Sequence, residues 1–214
     1  MQLYGNFASH YVARVALYAQ LQGLTLRPEM PPEGIKSAGY LALNPMGKMP
    51  LLVDDDVAIA ESEVICAYLE DLRPGLALPG TPATRARART LSRVFDVYAA
   101  PAANVLFRAM GPGTRDDAAI AAAMQDLGNA FGYLEHFLAA PYAAGEQPSL
   151  ADCTLLPAFA ILKQTAFPMF KVPDPTLGAG KLGRWWAFVT ADVRLGAFLR
   201  EYDAAVAAFL RSLG

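Results

Sequence analysis

The sequence predicts a small α/β domain followed by an all-helical one. Three observations carry this. Over residues 1–78 short strand-like runs alternate with helix-like ones. The breakers Pro74-Gly75 and Pro79-Gly80-Thr81-Pro82 then interrupt every periodicity. Beyond Ala83 the apolar residues recur only at helical spacing. The expected division is an α/β domain over 1–78, a linker over 79–84 and an all-helical domain over 85–214.

Gln2-Leu3-Tyr4 reads as the first strand and Gly5-Asn6-Phe7-Ala8 as a loop. Ser9 opens a helix whose apolar face is Val12, Val15, Ala16 and Ala19, at the i, i+3, i+4, i+7 spacing. Gly23 ends it. Leu24 to Met30 is expected as a second strand, closed by Pro31-Pro32, and a short helix follows around Lys36 to Leu43. Leu51-Leu52-Val53 and Val57-Ala58-Ile59-Ala60 are joined across three acids as a β-hairpin. Pro50 stands at the head of its first strand, where a residue without an N–H leaves the ladder intact. The hairpin runs directly into a helix with Ser62 as its N-cap and Val64, Ile65, Tyr68, Leu69 and Leu72 as its stripe. The order is β-α-β-α-β-β-α, with the first two strands parallel.

In the second half one long helix is expected over 83–111, carrying Leu91, Val94, Phe95, Tyr98 and Val105 and kinked at Pro101. A second, over 115–140, repeats Ile120, Met124, Leu127, Phe131, Leu134 and Leu138 close to a heptad seam. Ser149 with Asp152 three residues on is the capping-box pattern of another helix start. Pro168, Pro173 and Pro175 mark a loop, and helices around 178–190 and 193–212 follow.

Hydrophobic residues make up 54% of the chain and charged ones 18%, apolar enough to suggest surface covered by a second subunit. A formal net charge of −2 argues against nucleic-acid and polybasic membrane partners. No apolar run is long enough for a transmembrane helix and no leader peptide is visible. Cys66 and Cys153 lie inside helical patterns and form no CxxC, as expected of buried, reduced thiols in a cytoplasmic protein. Nothing in the pattern calls for a metal.

The stretch Asn44–Ser62 carries the functional signal. Met49 leads into a strand, so its N–H and C=O are candidates to pair with an extended peptide. The first amides of the helix after Ser62, at its positive dipole end, suit a carboxylate. Glu61 beside them suits an ammonium. Together these two are complementary to an α-amino-acid head group. NPMGKMP at Asn44–Pro50, the hairpin and Glu61-Ser62 resemble the glutathione-binding element of the cytosolic glutathione transferases, and Lys36–Leu43 resembles its entry in the serine-type, bacterial-like members.

That resemblance implies a thioredoxin-like N-terminal domain plus an all-α C-terminal domain, a homodimer, glutathione as cosubstrate and a small hydrophobic electrophile as its partner in a detoxifying conjugation. It gives Asp152 a folding role. Ser9, five residues before Arg14-Val15, stands where the serine-type classes hold the thiolate, and Tyr4 is the alternative that other classes use. A free thiol has a pKa of about 8.5, so a donor held at the sulfur near a helix start makes it a nucleophile at neutral pH. The expected glutathione contacts are Ser9, Lys36, Lys48, Met49, Pro50, Glu61 and Ser62. Phe7, Tyr98, Asn104, Phe107 and Arg108 are the expected electrophile pocket. His10 replaces a proline common in relatives and is expected in solvent, or else tuning the site; Ile35 replaces a histidine of some relatives. The alternatives are a glutathione-dependent isomerase, dehalogenase or ether-cleaving lyase, or a non-catalytic glutathione-binding protein of the same fold.

Overall fold

The computed structural model describes residues 1–113 and 115–212; the helical domain expected over 85–214 also takes in Thr114, Leu213 and Gly214, which lie outside the described residues. The chain begins β1 (Gln2–Tyr4), α1 (His10–Leu21), β2 (Pro28–Glu29), α2 (Ala38–Leu43), β3 (Leu51–Asp54), β4 (Val57–Ala60) and α3 (Ser62–Leu72). These strands make one mixed sheet in the order β2-β1-β3-β4. β1 runs parallel to β2 and antiparallel to β3, with Leu3 opposite both Pro28 and Leu52. β3 and β4 form the hairpin, Leu51 opposite Ala60, turning at Asp55 with φ 50°.

The second strand is shorter than the Leu24–Met30 run suggested, because only Pro28 and Glu29 pair with β1. β2 is an edge strand and Pro28 has no N–H to extend a ladder. The stripe of α3 is also corrected. Ile65, Cys66, Leu69 and Glu70 face inward, while Val64 and Leu72 are 54% and 46% exposed. A buried acid is tolerated only when hydrogen-bonded, and Glu70 accepts from Tyr18 Oη at 2.7 Å and the Gly75 N–H at 2.6 Å.

The long helix expected over 83–111 is three pieces: α4 (Pro82–Val94), a π-helical turn (Phe95–Ala99) and α5 (Ala100–Ala109). Pro101 has no N–H for the carbonyl four residues back and its ring crowds that carbonyl. The preceding turn widens instead, and the Ala100 N–H reaches Phe95 C=O. α6 (Asp117–Phe137) buries Ile120, Leu127, Phe131 and Leu134, with Leu138 buried just past its end. α7 (Leu150–Gln164) begins at the expected capping box, Asp152 accepting from the Ser149 N–H at 2.9 Å. The remainder is α8 (Ala166–Phe170), a 3-10 turn (Pro175–Leu177), α9 (Lys181–Ala191) and α10 (Val193–Ser212), so Pro168 sits in a short helix and not a loop.

One apolar core runs through both halves. α1 lies between α3 and α7, which fixes its N-terminus against the hairpin. Tyr202 of α10 donates to Ala8 C=O at 3.0 Å and pins the β1–α1 loop. Cys66 and Cys153 are free and fully buried, and burial pushes both thiols up, so neither is a nucleophile.

Candidate active site

A cleft of about 730 Å³ opens between the hairpin, α3 and the α4–α5 region. Lys48, Met49 and Pro50 enter it from the hairpin side, Glu61 and Ser62 from the start of α3, and Asn104 from α5. Five of the seven expected glutathione contacts therefore share one cavity.

The hairpin entry is built locally. Asn44, buried, donates through Nδ2 to Lys48 C=O at 2.8 Å, and Tyr40 Oη donates to the same carbonyl at 2.5 Å. Gly47 turns the chain at φ 56°, and a Cβ there would meet Lys36 Nζ at 2.9 Å, so Lys36 lies against this turn although it does not line the cleft. The Met49–Pro50 bond is cis. Met49 Sδ accepts the Asn6 N–H at 3.2 Å. No turn or side-chain hydrogen bond among the described residues takes the Met49 N–H or C=O.

At the other end, Glu61 rather than Ser62 occupies the N-cap position of α3, with φ 67° and ψ 119°. A non-glycine residue in that region is strained and held there by its surroundings, a pattern that clusters at ligand sites. The first N–H groups of α3 have no intrahelical acceptor. Ser62 is buried, and its Oγ accepts from Arg14 Nη1 at 3.1 Å.

Arg14 was visible in the sequence only as half of an Arg-Val pair. It is fully buried on α1 and forks onto Asp96 of the π-helical turn at 2.8 and 2.6 Å. Burial opposes its charge and the Asp96 carboxylate more than offsets that. Its Nε has no partner among the described residues. Tyr11 also went unmarked. It lines the cleft with its ring 4.0 Å from the His10 ring and 5.4 Å from the Arg14 guanidinium. Burial and then Asp96 push its hydroxyl up, so it stays a proton donor. An aromatic two residues past Ser9 was the available signal.

Ser9 is the N-cap of α1, partly buried, and its side chain makes no capping hydrogen bond. It is not on the cleft wall, two residues from Tyr11, which is. Tyr4 packs edge-on against Tyr40, ring centroids 6.3 Å apart, away from the cleft. His10 is buried and not in solvent; burial, then the Arg14 charge, lower it to about 3, so it is neutral.

The expected electrophile pocket is largely redistributed. Only Asn104 reaches the cleft. Phe7 packs edge-on to Phe198 and Tyr202 at 5.6 and 5.7 Å and lines a different cavity beside β2. Tyr98, 54% exposed, pairs with Tyr133 on the outer surface. Phe107 packs against the core and Arg108 is exposed, neither on the cleft wall. The π-helical turn changes the helical phase between Phe95 and Asn104, so residues that an unbroken helix aligns point elsewhere. Arg85, Arg89 and Arg93 line the far wall instead, Arg85 pairing with Glu70 at 3.7 Å. Among the described residues no cluster of His, Cys, Asp and Glu could hold a metal.

Comparison with known proteins identifies both halves of the chain. Residues 3–77 match the family model described as glutathione S-transferase, N-terminal domain, and 117–191 the corresponding C-terminal domain. Glutathione S-transferase 3 of Zea mays is 30% identical over 208 residues, covering 89% of each chain. Maleylacetoacetate isomerase of Mus musculus is 30% identical over 186 residues, covering 82% of this chain and 83% of its own. The solved structure of a Tau class glutathione S-transferase from mango, Mangifera indica, superposes with TM-score 0.78 at 23% identity over 100% of this chain and 98% of that one, a likeness of fold. With both halves matched in order and the hairpin, the α3 start and the helical half in the expected places, this chain belongs to the glutathione S-transferase family.

Proposed function

We propose that this glutathione transferase binds glutathione along the Met49–Ser62 wall of the cleft and uses its thiolate to attack a small hydrophobic electrophile. The observation that carries the reading is the pairing of unengaged Met49 backbone groups with the open N-terminus of α3 on one cavity wall. The cysteinyl part pairs with Met49 as a short strand beside the hairpin. The γ-glutamyl carboxylate sits on the first α3 amides and the Ser62 hydroxyl, and its ammonium on Glu61. Lys36 and Lys48 receive the glycine carboxylate. The sulfur reaches past the cleft wall beyond Tyr11 toward the start of α1, where Ser9 donates to it, its hydroxyl left free by α1, and the thiol proton leaves to solvent.

The electrophile lies beyond the sulfur, between Tyr11 and Asn104. We place the division of the chain at 79–84, between the two family matches. The homodimer reading is supported by the apolar composition, 54% hydrophobic against 18% charged, and by the acids and arginine, Glu63, Asp71 and Arg89, that α3 and α4 carry along the cleft for a twofold partner to complement. The buried, unpaired thiols support a reducing, cytoplasmic setting.

A second reading, glutathione-dependent isomerisation, is favoured by the kinship to maleylacetoacetate isomerase and by Arg93 in the cleft, a suitable partner for a substrate carboxylate. Here the thiolate adds to a cis double bond, the adduct rotates and the thiolate leaves, so glutathione is not consumed. Calorimetry with reduced glutathione, then turnover of a chlorodinitrobenzene and of a cis-enedioic acid, separates the readings. Binding with conjugate formation supports the transferase. Binding with turnover of the acid at constant thiol supports the isomerase, and binding without either supports a binding-only protein. No heat at millimolar glutathione overturns all three.

A further inference from the structure

The turn that carries Ser9 is held from two sides, and the two holds differ in kind. On the helical side Phe7 packs on Phe198 and Tyr202, and Tyr202 Oη donates to Ala8 C=O at 3.0 Å. On the hairpin side the Asn6 N–H donates to Met49 Sδ at 3.2 Å. Among the described residues no other turn or side-chain hydrogen bond crosses from Gly5–Ser9 to residues 44–60. Gly5 makes the approach possible. It sits at φ 152°, where a Cβ would meet Val12 Cγ2 at 2.5 Å and Met49 Cβ at 3.3 Å.

Asn6 shapes the chain that follows it. Its Oδ1 accepts the Ala8 N–H at 2.9 Å and its C=O accepts the Ser9 N–H at 3.0 Å. Three bonds on one residue thus set the main chain that delivers the Ser9 hydroxyl, and one of them ends on Met49. A thioether is a weak acceptor, but Asn6 is half-buried, where an N–H without any acceptor is costly. With a hydrocarbon in place of the sulfur, that N–H turns toward water and carries the Ser9 turn with it. Met49 is also the residue whose own N–H and C=O are unengaged on the cleft wall. Its main chain faces the cosubstrate, and its side chain faces the loop that completes the sulfur site.

We propose that Met49 is a positioning residue for the Ser9 hydroxyl, holding it in register with the bound glutathione strand through the Sδ–Asn6 hydrogen bond. This rests on the reading that Ser9 donates to the sulfur. It gives the Met49 side chain a task separate from that of its backbone, and substitution separates the two.

Met49→Leu keeps the bulk and the backbone groups but removes the acceptor, whereas Met49→Gln supplies a carbonyl oxygen in its place. The full chain is assayed with reduced glutathione and a chlorodinitrobenzene, and ionisation of the bound thiol is followed by thiolate absorbance against pH. In Met49→Leu, kcat at neutral pH should fall about tenfold, within the range that a small misplacement of a reacting group produces. The thiolate midpoint should rise by about one pH unit, while the glutathione KM stays within about twofold. Met49→Gln should recover part of both losses. In a Ser9→Ala background Met49→Leu should cost nothing further, because the donor it positions is gone. A residue that only supports the fold would lower kcat in both backgrounds. Met49 is half-buried, so the variants should fold, and an unchanged Tm confirms it. Equal losses in both backgrounds, a wild-type kcat and midpoint in Met49→Leu, a loss confined to KM, or no recovery in Met49→Gln overturns the proposal and leaves the Ser9 reading standing. A wild-type thiolate midpoint in Ser9→Ala overturns the Ser9 reading and this proposal together.

Discussion

Arg14 and Asp96, 82 residues apart in the chain, are joined by two hydrogen bonds of 2.8 and 2.6 Å, and the same guanidinium donates to Ser62 Oγ at 3.1 Å. One buried cation thus ties α1, the π-helical turn and the α3 start into a single unit. The hydroxyl proposed to meet the γ-glutamyl carboxylate is oriented from below by a residue that does not itself line the cleft.

Removing one member of this pair leaves the other charged and buried, a change that costs about 3–5 kcal/mol. Asp96→Asn should therefore lower Tm by roughly 10 °C in a chain of this size. The double variant Arg14→Met/Asp96→Asn should be less destabilised than the sum of the two singles, since it strands no charge. Thermal unfolding of the four proteins measures this; additive losses would show that the two residues act separately.

Ser62→Ala removes a hydrogen bond to a charged ligand group and should raise the glutathione KM by about ten- to a hundred-fold. The kcat at saturating glutathione should change little, because the lost contact is made equally in ground and transition states. A drop in kcat at constant KM would instead place Ser62 at the reacting sulfur.

The hydroxyl at the sulfur is tested by three variants. Ser9→Ala should cut kcat by about 100-fold, the usual effect of losing one such donor, with glutathione affinity retained. Tyr4→Phe should leave kcat unchanged, since its ring packs on Tyr40 away from the cleft. Tyr11→Phe should alter electrophile preference more than thiol ionisation, read from the pH profile of thiolate absorbance. If Tyr11→Phe abolishes the thiolate band and Ser9→Ala does not, the donor is Tyr11.

His10 is lowered to about 3 by burial and by the Arg14 charge. The unfolded chain, with His10 near 6.5, binds its proton first as pH falls. The neutral-His contribution is therefore present above pH 6.5 and is lost as pH drops toward 3. Between pH 7 and pH 5 it should fall by about 2 kcal/mol. Urea unfolding at both pH values should show this loss in the wild type and a smaller one in His10→Phe, whose ring keeps the contacts with Tyr11 and Phe95. An identical pH dependence in both would remove His10 as its source.

Local chemistry was enough to read the frame of the site. Asn44, Gly47 and Pro50 are turn residues with fixed backbone demands, Leu51–Val53 and Val57–Ala60 are short apolar strand-like runs either side of three acids, and the run into α3 follows at once. Each depends on neighbours within a few positions, so hairpin, helix start and their order were legible without coordinates. The Ser149–Asp152 cap was legible for the same reason.

What tertiary structure alone decided is who faces the cleft. Pro101 signalled a disturbance, but whether it would kink the helix or widen it into a π-turn depended on packing against α6 and α7. That widening changed the phase that sent Tyr98 outward and left Asn104 on the wall. Phe7 went to Phe198 and Tyr202 because α10 returns to the first loop, a contact between residues nearly 200 positions apart with no local signature. Arg14 met Asp96 for the same reason. Sequence periodicity records which residues an element can present to one side; the partner waiting there is set by how distant elements pack.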